Sequence, residues 1–146
     1  MWPVSDAQTV VLDLAHELER KAAHGRRLSS EEQAVTDLAW IDTAVSPNGF
    51  EGWLDMTPVA QIASALAALD LVGADDVKAL VTQALAIVGL DPATMSDPQR
   101  EALVDSLSPS TRKALDQLGS ALFDLMDAYM ERIRTFIEAN PDHIHP

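Results

Sequence analysis

Apolar residues recur three and four positions apart along almost the whole chain, the spacing that places them on one face of an α-helix. Val11, Leu14, Ala15 and Leu18 predict a first helix, with Ser5 as its cap and Gly25 as its stop. Ser29 and Glu32 have capping-box spacing. The helix they open carries Ala34, Leu38, Ile41 and Val45 and is expected to end before Pro47, because the residue preceding a proline avoids the α region. Thr57 and Pro58 read as cap and first residue of a third helix with Val59, Ile62, Leu66 and Leu69 inward, closed by Gly73. Asp75 and Asp76 open a fourth, with Val77, Leu80, Val81, Ala84 and Val88 inward and Gly89 at its end. A short helix follows, with Asp97 as the expected cap. Ser108 and Pro109 then open the longest one, striped by Leu115, Leu118, Leu122, Leu125, Tyr129, Ile133 and Phe136 and stopped by Asn140 and Pro141. No strand pattern is visible. The expected fold is all-α: one domain over residues 1–140, a bundle of six to seven helices with a long C-terminal helix, then a flexible tail over 141–146.

The segment "VSPNGFEGWLD" interrupts this regularity. Pro47 fixes φ, and Asn48 and Gly49 tolerate left-handed backbone, so the stretch predicts a turn. Phe50 and Trp53 are three apart and would point the same way from a short helix. They read either as a wedge locking the preceding helix against the next two, or, for Trp53 between Glu51 and Asp55, as an exposed anchor for a partner.

Charge adds a second pattern. The 146 residues carry 23 acids against 10 bases, a formal net charge of −13. Between Leu28 and Val77 there are nine acids and no Lys or Arg: Glu31, Glu32, Asp37, Asp42, Glu51, Asp55, Asp70, Asp75 and Asp76. Asp124, Asp127 and Glu131 form a second row on the long helix. Phosphate binding needs a clustered positive face, so direct nucleic-acid binding is not expected, and a basic partner is. One reading makes the acids a solvated surface. The other begins from their unfavourable spacing: like charges three or four apart weaken a helix by roughly 0.2–0.5 kcal/mol per pair. A compact chain of this length is about 40 Å across. Duplex DNA of that length carries on the order of 20 phosphates. Rigid helices bearing carboxylate rows can therefore resemble a duplex to a protein that grips DNA.

Residues in this region also carry a family resemblance. Asp42 in "AWIDTAVSPNGF", then Asn48, Gly49, Phe50 and Trp53, resemble the motif of the DNA-mimic proteins, a family largely catalogued as a domain of unknown function. "ALAALDLVGADDVKALVTQAL" is similar to that family's next two helices, and the resemblance covers roughly residues 28–90. Pro47 departs from the family's usual asparagine or glycine. The resemblance implies an all-helical, non-enzymatic acidic protein that occupies the DNA-binding surface of a regulatory protein, such as a helix-turn-helix repressor.

Other chemistry is weakly supported. There are no cysteines, which removes disulfides, thiol nucleophiles and cysteine zinc sites and suits a reducing cytoplasm. No secretory signal or membrane-spanning run is visible. "HELER" around His16 lacks the second histidine of a zinc-protease motif. His24 suits a helix end, and Asp142, His143 and His145 lie in the tail expected to be mobile. No cofactor, metal or catalytic residue is assigned. The expected partner is a basic, DNA-binding protein, and a homodimer is compatible with the sequence. The alternatives are an immunity-type module that neutralises a basic toxin, and a hydrolase using a carboxylate or the tail histidines.

Overall fold

Four serines fix where four helices begin. Ser5, Ser29, Ser96 and Ser108 each accept the backbone N–H three residues on, from Gln8, Glu32, Gln99 and Thr111. The computed structural model describes residues 5–146. Its elements are α1 (Asp6–Ala23), α2 (Ser30–Met56), α3 (Val59–Leu71), α4 (Asp75–Val88), α5 (Asp97–Asp105) and α6 (Pro109–Ala139). The all-α expectation holds: six helices, the last the longest, and no strand among the described residues. Helix α2 packs against α1, α3, α5 and α6, and α4 closes the bundle against α3 and α6. Most of the core gathers around the α2–α6 pair.

Two caps differ from expectation. Thr57 does not cap α3. It is buried, and its hydroxyl accepts the Trp40 indole N–H at 2.9 Å. The free N–H of Val59 is met from another helix instead, by the Asp97 carboxylate at 2.8 Å. Asp97 is therefore not the cap of α5, whose own start is capped by Ser96. The same carboxylate also accepts from Arg100, whose guanidinium donates to the Leu54 and Asp55 carbonyls at 2.7 and 2.6 Å. In this way α5 ties down both the end of α2 and the start of α3.

The expected stop before Pro47 is also corrected. Helical geometry runs through Pro47 and breaks two residues later at Gly49, with φ 67° and ψ −176°, before resuming to Met56. Proline forfeits one N–H bond and disfavours the α region before it, but it does not by itself turn the chain. The turn needs backbone of a kind open almost only to glycine. Asn48 does not share it, since no non-glycine residue among those described has positive φ.

Past the break, Phe50, Trp53 and Leu54 are fully buried. Phe50 and Trp53 meet edge to face, with centroids 6.2 Å apart and planes at 82°. The wedge reading is therefore correct, and Trp53 is not an exposed anchor. Its indole Nε1 is buried without a hydrogen-bond partner among the described residues. Tyr129 of α6 donates to the Leu38 carbonyl of α2 at 2.6 Å. Burial, then the Asp42 and Asp37 carboxylates, push the Tyr129 hydroxyl well above its ordinary pKa, so it stays a donor.

The tail expected to be flexible is docked. Ile144 is buried with Leu18 and Val35. Ser29 donates to the His143 carbonyl at 2.5 Å, and the His145 N–H donates to Glu32 at 2.9 Å. Lys21 spans Glu32 and the His145 carbonyl at 2.7 and 2.8 Å. Burial works to raise the Glu32 pKa, but the bonds from Lys21 and from the Ser29 and His145 N–H groups outweigh it and hold the pKa at about 2.

Two predictions follow from these contacts. Because the folded pKa of Glu32 lies below its ordinary 4.5, its contribution is complete above pH 4.5 and is lost as pH falls toward about 2. Glu32→Gln is expected to lower stability at neutral pH by about 3 kcal/mol, because Lys21 loses its counter-charge. It is also expected to flatten the acid limb of a urea-midpoint-against-pH profile. Gly49→Ala is expected to cost about 1–3 kcal/mol in urea denaturation, from backbone strain alone. A Cβ there meets only Asp116 Oδ1, at 3.6 Å.

Candidate partner-binding surface

Helix periodicity sends some of the acids inward. Ala34, Leu38, Ile41 and Val45 must face the core; Asp37 and Asp42 lie between them in sequence, and Glu32 lies just before them, on the same broad face. All three are buried, with exposures of 2%, 1% and 4%. They cannot meet a partner's side chains and are withdrawn from the candidate surface. Asp37 accepts from Gln33 at 2.9 Å and from Ser64 of α3. Burial pushes its pKa up against these bonds and one from Gln61. Asp42 accepts from Gln8 of α1 at 3.2 Å and from Ser46 at 2.9 Å. Both are neutral donors, so these two carboxylates act as polar joints between helices.

The other acids of the 28–77 stretch are not one unbroken ridge. Asp70 pairs with Lys78 at 2.7 Å, Glu51 with Arg112 at 3.2 Å and Asp76 with Arg132 at 2.5 Å. Burial works to raise Asp76, but Arg132 and the Val77 N–H hold its pKa below the usual carboxylate range. Glu31 is half-buried and accepts from Ser30. Asp55 and Asp75 are exposed.

What the fold does bring together lies on either side of the α2 break. On one side, Glu51, Asp55 and Asp105 surround a depression with Asn48, Met56 and Arg112. On the other, Ser46 and Gly49 face Asp116 and Ser120 of α6. From Asp116 the exposed acids continue along α6 through Asp124 and Asp127 to Glu131, with no Lys or Arg between Ala114 and Glu131. Glu131 shares Arg134 with Glu138, both at 3.6 Å. At 100° per residue, Asp116 and Asp127 lie within about 20° of each other on the helix, while Arg132 is about 160° from Asp116. Asp105 and Asp116 were missed in the sequence. The eleven-residue spacing of Asp116 and Asp127 is a same-face signal that could have added the second. Nothing in the sequence brings Asp105 to Asp55.

Positive charge collects elsewhere. Arg20, Lys21, Arg26 and Arg27 are four of the ten cations, at the end of α1 and in the loop after it. Arg20, Lys21, His24 and Arg26 line one depression there. Lys21 pairs with Glu32 at the start of α2, about 26 Å along that helix from the break at Gly49. The densest group of cations thus lies away from the break, with Glu17 and Glu32 among them.

No group of three or more His, Asp or Glu side chains among the described residues is arranged to hold a metal ion. No helix among the described residues is long and apolar enough to cross a membrane. No curated protein and no solved structure gives a match to the chain. A family model, that of the DMP19-like proteins, matches residues 26–140. This reaches well past the 28–90 resemblance, through α3, α4 and α5 to the end of α6, and leaves out α1. With four of its six helices after the break in α2 and the acidic face of α6 inside the matched region, this chain belongs to the DMP19-like protein family.

Proposed function

We propose that this protein is a non-enzymatic binding protein that presents a DNA-like acidic face to the DNA-binding surface of a basic partner, such as a transcriptional regulator. The observation that carries the reading is the exposed row Asp116, Asp124, Asp127 and Glu131 on α6, with no Lys or Arg in the chain between Ala114 and Glu131, and with Glu51, Asp55 and Asp105 gathered on the other side of the α2 break. Along α6 the row extends about 22 Å, at 1.5 Å per residue. Its one i,i+4 pair, Asp127 and Glu131, stands roughly 6 Å apart. Helix α6 is buried on its other face by Leu115, Leu122, Tyr129 and Ile133, so the carboxylates ride on a fixed rod. A rigid row loses little freedom on binding.

The distance of the Arg20–Arg27 cations from the break supports the same reading. A basic protein is drawn to the α6 face, and the field of the acidic molecule speeds its approach. Membership of the DMP19-like family supports the reading at the level of class.

The test is displacement of a labelled operator duplex from a helix-turn-helix repressor of the same cell, followed by fluorescence anisotropy. Displacement is expected at low salt and is expected to weaken steeply as the Debye length falls below about 8 Å. Neutralising Asp116, Asp124, Asp127 and Glu131 together to the amides should weaken displacement by more than about tenfold, at up to about fivefold per exposed charge. Asp75→Asn removes a charge away from the row and should leave displacement nearly unchanged. Equal weakening per charge in both variants would reduce the acids to a general solubilising field and end the proposal.

A further inference from the structure

We infer that the cleft between the α2 break and the first half of α6 receives an arginine side chain of the basic partner. This deepens the reading above and rests on it. The cleft has a volume of about 360 Å³. Val45, Leu122 and Met126 give it an apolar lining, and Phe123, half exposed, stands in its wall. Its polar groups are Ser46, Asp116 and Ser120. Glycines make the space. Gly49 turns the α2 backbone away, and Gly119 leaves α6 without a side chain at the crossing. A Cβ at Gly119 would stand 3.9 Å from Val45 Cγ1 and 4.0 Å from Gly49 Cα, in ordinary contact.

The polar chemistry selects a cation with many donors. Asp116 is exposed and has no hydrogen-bond or ion-pair partner among the described residues; Lys113, one turn earlier, does not pair with it. Ser46 gives its proton to Asp42 at 2.9 Å, which leaves its oxygen as an acceptor toward the cleft. Behind Ser46, the buried Asp42 is matched among the described residues by the neutral Gln8 amide and that hydroxyl. One carboxylate thus stands at the lip and another behind the wall, and no cation among the described residues lines the space. A guanidinium on a three-carbon stem supplies five donors, a permanent charge and apolar length for the lining. An ammonium is more strongly hydrated and presents fewer donors. A neutral apolar side chain would desolvate Asp116 without compensation. A phosphate row offers charge without such a cavity, so the cleft gives this acidic face a means of choosing among basic proteins.

The test titrates the full-length, ¹⁵N-labelled protein with three capped tripeptides, acetyl-Ala-Arg-Ala-amide and its Lys and Gln counterparts. The Arg peptide should give saturable amide shifts centred on Ser46, Gly49, Asp116, Gly119 and Ser120. The Lys peptide should bind several-fold more weakly, and the Gln peptide should give no saturable shift. Asp116→Asn should weaken the Arg peptide by about fivefold, and Asp75→Asn should not. Gly119→Ala gives a sharper discrimination. Alanine is the better helix former and has room for its methyl, so the melting temperature should rise, while Arg affinity falls because the cleft floor is filled. A purely structural role for Gly119 would not move the two in opposite directions. Arg shifts spread evenly over Asp70, Asp75 and Glu138, or Arg affinity unchanged in Gly119→Ala, would overturn the assignment. If the peptide fails to bind while operator displacement persists, the cleft alone is refuted. If the peptide binds here and displacement fails, the cleft stands as a site for a basic side chain and the DNA-like reading falls.

Discussion

The rest of the structure depends on how α2 turns at Gly49 to drive Phe50, Trp53 and Leu54 into the bundle. Those three residues belong to a core shared with α3, α5 and α6, and they reach it only because the chain changes direction after Asn48. A straight α2 would carry them past the bundle into water, where they would lose roughly 2 kcal/mol or more of transfer free energy each. The same change of direction opens the acidic depression around Glu51, Asp55 and Asp105 on one side and the Ser46–Asp116 cleft on the other. Fold and candidate surface thus share one backbone constraint. That constraint is held by Arg100 on the carbonyls that end α2 and by Asp97 on the first free N–H of α3.

Burial divides the carboxylates into two kinds with different work. Glu32, Asp37 and Asp42 have left water and must find partners inside. Glu32 finds a cation and two backbone donors, so its pKa falls to about 2. Asp37 finds only neutral donors, and burial prevails, so its pKa rises. Asp116, Asp124 and Asp127 remain in water on a helix whose other face is locked into the core. Only the second kind can attract a basic surface, and rigidity allows the attraction to become recognition. Ser46 links the two kinds, because it bonds the buried Asp42 and faces the cleft at whose lip Asp116 stands.

Placing charge on α6 rather than α2 also explains how so acidic a protein stays folded. Asp70, Asp76 and Glu51 take cations from α4 and α6, which relieves repulsion where helices converge. Among the described residues, Asp116, Asp124 and Asp127 stand without a cation along one rod, where the helix backbone is already fixed by packing and the few tenths of a kcal/mol of like-charge repulsion per pair are tolerable. Four of the other cations lie at the far end of α1 and in the loop after it, where Lys21 also helps to hold the C-terminal residues against α2.

The sequence by itself determined the helices. Spacing of apolar residues, the serine caps and the glycine stops are local signals, and local signals act over a few residues at a time. They placed α1, α4 and α6 almost as observed and marked the break in α2, and the residues around Asp42 and the Asn48–Trp53 stretch were enough to carry the family resemblance. Which acids face water was left to the tertiary structure. Asp37 and Asp55 look alike along the chain, and only the packing of α3 on α2 buries the first while exposing the second. Asp97 capping α3, Thr57 meeting Trp40, Ile144 covering Leu18 and Asp105 arriving beside Asp55 are contacts between residues far apart in sequence. A one-dimensional pattern carries periodicity and sign of charge, whereas burial and pairing depend on which surfaces meet, and only the assembled bundle decides that.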